Sequence, residues 1–143
     1  MIILDTDVIS LLDAKSDPAY RSLLLRLADN TLDRVCVTIV SFEEQMRGWL
    51  SYIAASRTPM RQVEGYSRLQ RMHEWYAEQE VPPFDSTVLA VFERLKRLRT
   101  RVGTMDLKIA AIALANSALL VSRNIRDFER IPELRVQDWT TPA

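Results

Sequence analysis

Residues 1–10 read MIILDTDVIS, and the fold turns on them. Ile2, Ile3 and Leu4 run together without polar alternation, as in a strand whose two faces are both covered. The run stops at Asp5, and Asp7 follows two places on. A strand covered on both faces needs helices above and below it, and the following stretches supply them. A short helix is expected from about Val8 to Asp13, with Asp7 or Thr6 as its cap. Asp17 and Pro18 open a second, in which Leu23, Leu24, Leu27 and Ala28 have helical spacing.

The segment "VCVTIV" (35–40) reads as a second buried strand, followed by a long helix from about Ser41 to Ser56. Pro59 starts another, running to about Gln79. "VPPF" (81–84) is expected to be a short edge strand, since two prolines cannot sit in a central one. A helix from Ser86 to about Arg101 is broken at Gly103. The helix "TMDLKIAAIALANS" leads into the strand "ALLVS", and a weak strand near Val136 comes last. Apolar strands alternating with helices predict an α/β protein: a three-layer α/β/α arrangement around a parallel sheet of about four to five strands. Residues 1–143 are expected to form one domain.

Composition bounds the function. Hydrophobic residues make up 48% of the 143, which excludes a disordered chain. Formal net charge is zero, so a nucleic-acid partner would have to be held by a local patch. Arginine supplies 16 of the 19 Lys and Arg residues, and its planar fork suits phosphate. The single cysteine, Cys36, lies in an apolar run and offers no metal framework, in keeping with a reducing compartment. No basic n-region or cleavage site suggests a signal peptide, and "IAAIALA" is too short to span a bilayer. A cytoplasmic location, with no membrane partner, is expected.

In open parallel sheets, sites form beyond the carboxyl ends of the strands. Asp5 ends the first strand, Glu44 follows the second, Asp127 follows "ALLVS", and Asp106 opens a helix. Each alone also reads as a helix cap or dipole partner: Ser41 to Glu44 has capping-box spacing, and Asn124 to Asp127 is close to it. Together they imply more. Two like charges 4 Å apart cost about 4 kcal/mol at an effective dielectric near 20. A domain is stable by only about 5–15 kcal/mol, so a cluster of such acids must bind protons or a cation. Oxygen-only ligands favour a hard ion, Mg²⁺ or Mn²⁺, which can activate water and stabilise phosphoryl oxygens.

The ordered stretches "LDTD", "TIVSFEEQMRG", "VGTMDLKIAAIALAN" and "LLVSRNIRDFERIPELRVQDW" resemble PIN-domain ribonucleases, and among them the VapC toxins of bacterial toxin–antitoxin pairs. The resemblance implies a metal-dependent endoribonuclease centred on Asp5, Glu44, Asp106 and Asp127. It implies that Asp5 and Asp106 are direct metal ligands and that Glu44 and Asp127 complete the acidic site. It places the family's glycine on Gly48. It further implies Mg²⁺ or Mn²⁺, an RNA substrate (tRNA or rRNA), a homodimer, and a cognate antitoxin protein. Two positions depart from the pattern: Asp7 stands where many members carry Asn, and Gln45 replaces the usual leucine.

The helix from Ser41 has a bulky stripe (Phe42, Met46, Trp49, Ile53) nearly opposite a small-residue face (Glu44, Gly48, Ser51, Ala55). The small face is expected to pack inward and aim Glu44 at the site. The stripe would then meet the next helix, a second subunit or an antitoxin. "ERLKRLRTRVG" gathers Arg94, Lys96, Arg97, Arg99 and Arg101, either a solvated helix end or an RNA-backbone patch. His73 is assigned no chemistry, and the tryptophans read as packing. One rival reading is a haloacid-dehalogenase-like phosphatase, since "LDTDVIS" resembles its D-x-D opening with Asp5 as nucleophile; the adjacent acidic pair it needs later is missing. The other is a non-catalytic PIN-like module that binds a partner.

Overall fold

The computed structural model describes residues 1–142. β1 (Ile2–Leu4) lies at the centre of the sheet, between β2 (Val35–Cys36) and β3 (Leu119–Val121). β4 (Arg135–Gln137) pairs with β3, giving the order β2-β1-β3-β4 with every pairing parallel. The connection leaving β1 goes to one side of the sheet and β3 stands on the other. The carboxyl ends of β1 and β3 are therefore adjacent at a topological switch point.

Among the described residues seven helices cover this sheet: α1 (Thr6–Ala14), α2 (Ala19–Asp29), α3 (Ile39–Ala55), α4 (Pro59–Ala77), α5 (Ser86–Arg97), α6 (Thr104–Ala115) and α7 (Ile125–Phe128). Strand side chains alternate between two cores, as the pleat requires. Ile3, Cys36 and Leu120 enter the core of α5, α6 and Phe128, while Ile2, Leu4 and Val121 enter the core of α1, Leu23, Met72 and Tyr76. The unbroken apolar runs are thus explained, because each strand feeds two cores. α6, with Ile109 to Ala113 wholly buried, is a central helix covered on all sides.

Several boundaries differ from expectation. "VCVTIV" is not one strand. β2 stops after Cys36, Thr38 caps α3 by accepting from the Ser41 N–H at 3.0 Å, and the helix already runs from Ile39. A β-branched apolar run serves either element, and the threonine decides. "VPPF" forms no strand either; the sheet edge is met one residue earlier, where Glu80 bridges Cys36 and its carbonyl accepts from the Val37 N–H at 3.1 Å. α5 stops at Arg97 rather than Arg101.

The two faces of α3 are also reversed. Phe42, Met46 and Trp49 pack into the core beside α4, and Gly48, Ser51 and Ala55 are exposed. Aromatic and long apolar side chains gain most from burial, so they take the inner face. The following helix is what they meet: Phe42 stacks edge-on against Tyr76 of α4 with centroids 5.2 Å apart. Among the described residues, no helix is long and apolar enough to cross a membrane.

Candidate active site

Asp5 is the first residue beyond β1, and its backbone N–H still donates to the Val121 carbonyl at 2.9 Å. Its side chain, rather than that of Asp7 or Thr6, caps α1, with Oδ1 accepting from the Thr6 N–H at 2.8 Å. Oδ2 accepts from the Ser122 hydroxyl at 2.7 Å. That hydroxyl in turn accepts from the Asn124 N–H at 2.9 Å, so the ends of β1 and β3 are joined through one carboxylate. Asp5 is only 5% exposed. Burial, and after it the charge of Asp7, push its carboxyl up from 3.8 to about 7, against the opposing pull of Ser122 and the Thr6 N–H.

Glu44 reaches the same place from α3. The Thr6 hydroxyl donates to its Oε1 at 2.9 Å and lies 2.8 Å from the Ser41 hydroxyl. Thr38 donates to Ser41 at 3.3 Å, so hydroxyl protons can run in series from Thr38 through Ser41 and Thr6 to the carboxylate. Ser41 therefore does not form the expected capping box with Glu44. It helps to orient Glu44 through Thr6.

Asp106 lies in the first turn of α6, where the helix dipole favours an anion. Burial and the charges of Glu44, Asp127 and Asp7, in that order, nevertheless raise its pKa. Asp127, in the first turn of α7, accepts from the Asn124 side-chain amide at 3.1 Å. Asp7 accepts the Arg123 N–H at Oδ2, 3.1 Å away, while its Oδ1 is buried without a partner among the described residues. Burial first of all raises its pKa.

A cavity of about 310 Å³ is lined by Asp5, Asp7, Glu44 and Asp106, with Thr6, Ser10 and Asn124. Three of the four acids named from sequence thus share a wall. The fourth, Asp127, stands behind Asn124 and acts on Asp106 by its charge. Thr6 as a side-chain donor, Ser122 and Asn124 are the supporting residues that sequence reasoning did not assign to this site. Ser122 had a signal, since it is the first polar residue after a buried strand. A larger cavity of about 660 Å³ lies between α1, α3 and α4, walled by Trp49, Trp75 and Tyr76. It meets the acidic one at Ser10, and its acid among the described residues, Asp13, is already paired with Arg68 at 3.1 Å.

Among the described residues, no three His, Cys, Asp or Glu side chains form a ready-made metal cage. The donors still fit a hard cation that keeps part of its water shell: all are oxygens, the cavity is open, and Asp7 Oδ1 is a buried acceptor with nothing to accept.

The PIN domain family profile matches residues 2–134. The tRNA(fMet)-specific endonuclease VapC of Salmonella typhimurium strain LT2 is 32% identical over 111 residues, 74% of this chain and 76% of that protein. Among solved structures, VapBC-1 from nontypeable Haemophilus influenzae shares the fold with a TM-score of 0.77 at 24% identity, covering 99% of this chain and 100% of that one. DNA-bound VapBC from Salmonella typhimurium gives 0.72 at 26% identity, covering 96% and 97%.

Proposed function

From the premise that the chain belongs to the PIN-domain family, with VapC ribonucleases as its relatives, we propose that it is a divalent-metal-dependent endoribonuclease, the toxin of a toxin–antitoxin pair. Asp5, Glu44, Asp106 and Asp127 are its catalytic acids, with Mg²⁺ or Mn²⁺ as cofactor. Its substrate is RNA, of the tRNA or rRNA class, and its working form is a cytoplasmic homodimer controlled by a cognate antitoxin protein. The observation that carries this reading is one acidic cavity assembled from distant chain segments, with Asp5 at about 7. A carboxyl so raised stands ready to exchange its proton for a cation.

Asp5 presents fixed lone pairs, because the Thr6 N–H and the Ser122 hydroxyl lock both of its oxygens. Asp106 and Asp5 would be the direct ligands. When bound, a divalent cation supplies Lewis-acid stabilisation of phosphoryl charge and lowers the pKa of water. Glu44, turned into the cavity by Thr6, keeps Oε2 free of protein donors among the described residues and can take the proton of attacking water. Asn124 orients Asp127, which holds the local negative charge that makes a cation necessary.

The match to the PIN profile and the intact acid set favour this reading over the phosphatase and over a non-catalytic module. The test is Mg²⁺-stimulated cleavage of RNA by the purified protein, with cut ends sequenced after expression of wild type and Asp5→Asn. Asp5→Asn and Asp106→Asn should each abolish cleavage while staying folded. Cleavage retained in both would refute the assigned site.

A further inference from the structure

α5 ends in cations that are not equally employed. Arg94 pairs with Glu133 at 3.8 Å and Lys96 with Glu93 at 3.0 Å. Arg97, Arg99 and Arg101 are exposed and, among the described residues, make no ion pair. The helix dipole accounts for Arg97, which lies in the last turn of α5. It still reaches Arg99, one residue past the C-cap, and accounts least for Arg101, two residues further on.

Backbone preference runs against arginine at both of those places. φ is 50° at Arg99 and 64° at Arg101, in the left-handed region where a Cβ is crowded and glycine is free. Arg99 directly follows Leu98, the C-cap of α5, at the position where helices commonly carry glycine. Local stability therefore favours glycine twice, and the chain has arginine twice. Lys15, Ser117 and Glu133 are left-handed as well; what sets Arg99 and Arg101 apart is that two such positions in one turn both carry exposed cations.

Their placement indicates a use. Val102, 8% exposed, anchors the turn in the core of α5 and α6, and Gly103 is the N-cap of α6. Asp106 follows Arg101 by five residues, a reach of at most about 18 Å when fully extended. The helical start of α6 at Thr104 shortens it further. The turn that carries Arg99 and Arg101 thus leads directly into the helix whose first turn brings Asp106 to the cavity, where the acids alone would repel any phosphate chain.

Resting on the nuclease reading, we infer that Arg97, Arg99 and Arg101 form a backbone clamp for single-stranded RNA at the mouth of the acidic cavity. The guanidinium groups hold successive phosphates and offset the repulsion from the acids. The strain at two of them is the cost of setting cations close to Asp106 on a short turn.

The test uses an Asp5→Asn background, which leaves RNA uncut, and a fluorescein-labelled oligouridylate followed by anisotropy across a KCl series. Replacing Arg99 and Arg101 together by Gly should lower the slope of log affinity against log salt by about 1.4, at about 0.7 per lost contact on a single strand. The same pair should melt no lower than its parent, because glycine relieves both left-handed positions. Arg99→Lys with Arg101→Lys should keep the slope, and Arg97→Ser alone should lower it by about 0.7. Unchanged slopes in both the glycine pair and Arg97→Ser overturn the clamp, as does a parent that binds no oligouridylate. Unchanged slopes with weakened antitoxin binding would assign the arginines to a protein partner and equally overturn it. Wild-type cleavage of RNA under Mg²⁺ separates the two readings: cutting with unchanged slopes removes the clamp alone, and no cutting removes the nuclease reading with it.

Discussion

Asp5→Asn should stabilise the metal-free protein at pH 8 and not at pH 4. Asp5 is 5% exposed, and its carboxyl is raised from 3.8 to about 7 by burial and by Asp7. At 1.36 kcal/mol for each tenfold change in acidity, ionising it in the folded state costs about 4 kcal/mol more than in the unfolded chain. The sign follows from the unfolded chain, which releases this proton first. Stability is intact below about pH 3.8, declines as pH rises, and has lost the full amount above about pH 7. Asparagine carries no charge to ionise. Its Oδ1 can still accept from the Thr6 N–H, but its amide meets Ser122 where an acceptor stood, a loss of about 1 kcal/mol. The net gain is then about 2–3 kcal/mol at pH 8, on the order of 10 °C in melting temperature. At pH 4 the variant should be level or slightly weaker. Melting by circular dichroism in a chelator, across pH 4–8, gives two curves that cross. Mg²⁺ or Mn²⁺ added at pH 8 should raise the wild-type melting point and move the variant far less. Parallel pH curves would show that Asp5 is not a carboxyl held near neutrality, and the argument from a strained acid would fail.

Ser122→Ala should cost about 1–3 kcal/mol in denaturant unfolding, because Asp5 Oδ2 and the Asn124 N–H both lose their partner. Ser122 pulls the Asp5 carboxyl down, so its loss should also move the pH dependence of stability further upward. Gly65→Ala in α4 should destabilise by about 1–3 kcal/mol despite its better helix propensity, since a Cβ there would lie 2.5 Å from Ile53 Cγ1 of α3. Gly48→Ala should instead gain about 0.5–1 kcal/mol in the same assay, because a Cβ there meets nothing within 4 Å. A folded, more stable Gly48→Ala that cuts RNA poorly would place the need for glycine at the surface, in what docks there.

Much of this was legible in the sequence because strand ends and helix starts carry chemistry as well as shape. The run Ile2 to Leu4 feeds two cores, and the parallel sheet follows from that. Asp5 and Glu44 meet at one cavity because a parallel sheet puts its carboxyl ends on one side, and Asp106 joins them from the first turn of α6. Legibility failed where two physical preferences compete in one segment. Thr38 is both a good strand residue and a good cap, and the cap prevailed, cutting β2 to two residues. On α3, small residues could have allowed close packing against the sheet, but Phe42, Met46 and Trp49 had more surface to bury. Glu44 kept its aim because Thr6 ties it to the site, a contact across 38 positions that no local pattern reveals.

The acids of the cavity are held unequally, and the inequality suggests how they divide the work. Asp5 has both oxygens bonded, Glu44 and Asp127 have one each, and Asp7 has one bonded and one buried without a donor. The Asp106 carboxylate, among the described residues, receives no hydrogen bond at all. A fully bonded carboxylate is a fixed reference point, whereas an unbonded one at a helix start can change rotamer at little cost. Asp5 therefore sets where a cation would sit, and Asp106 adjusts to it. Removing the two should differ in kind: Asp5→Asn breaks hydrogen bonds at the strand ends as well as shifting the pH dependence of folding, whereas Asp106→Asn breaks none, should stabilise the metal-free fold at neutral pH because burial and neighbouring acids raise its carboxyl, and should weaken Mn²⁺ binding by calorimetry. A loss of stability in Asp106→Asn at neutral pH in a chelator would mean that Asp106 is structural, and the division would collapse.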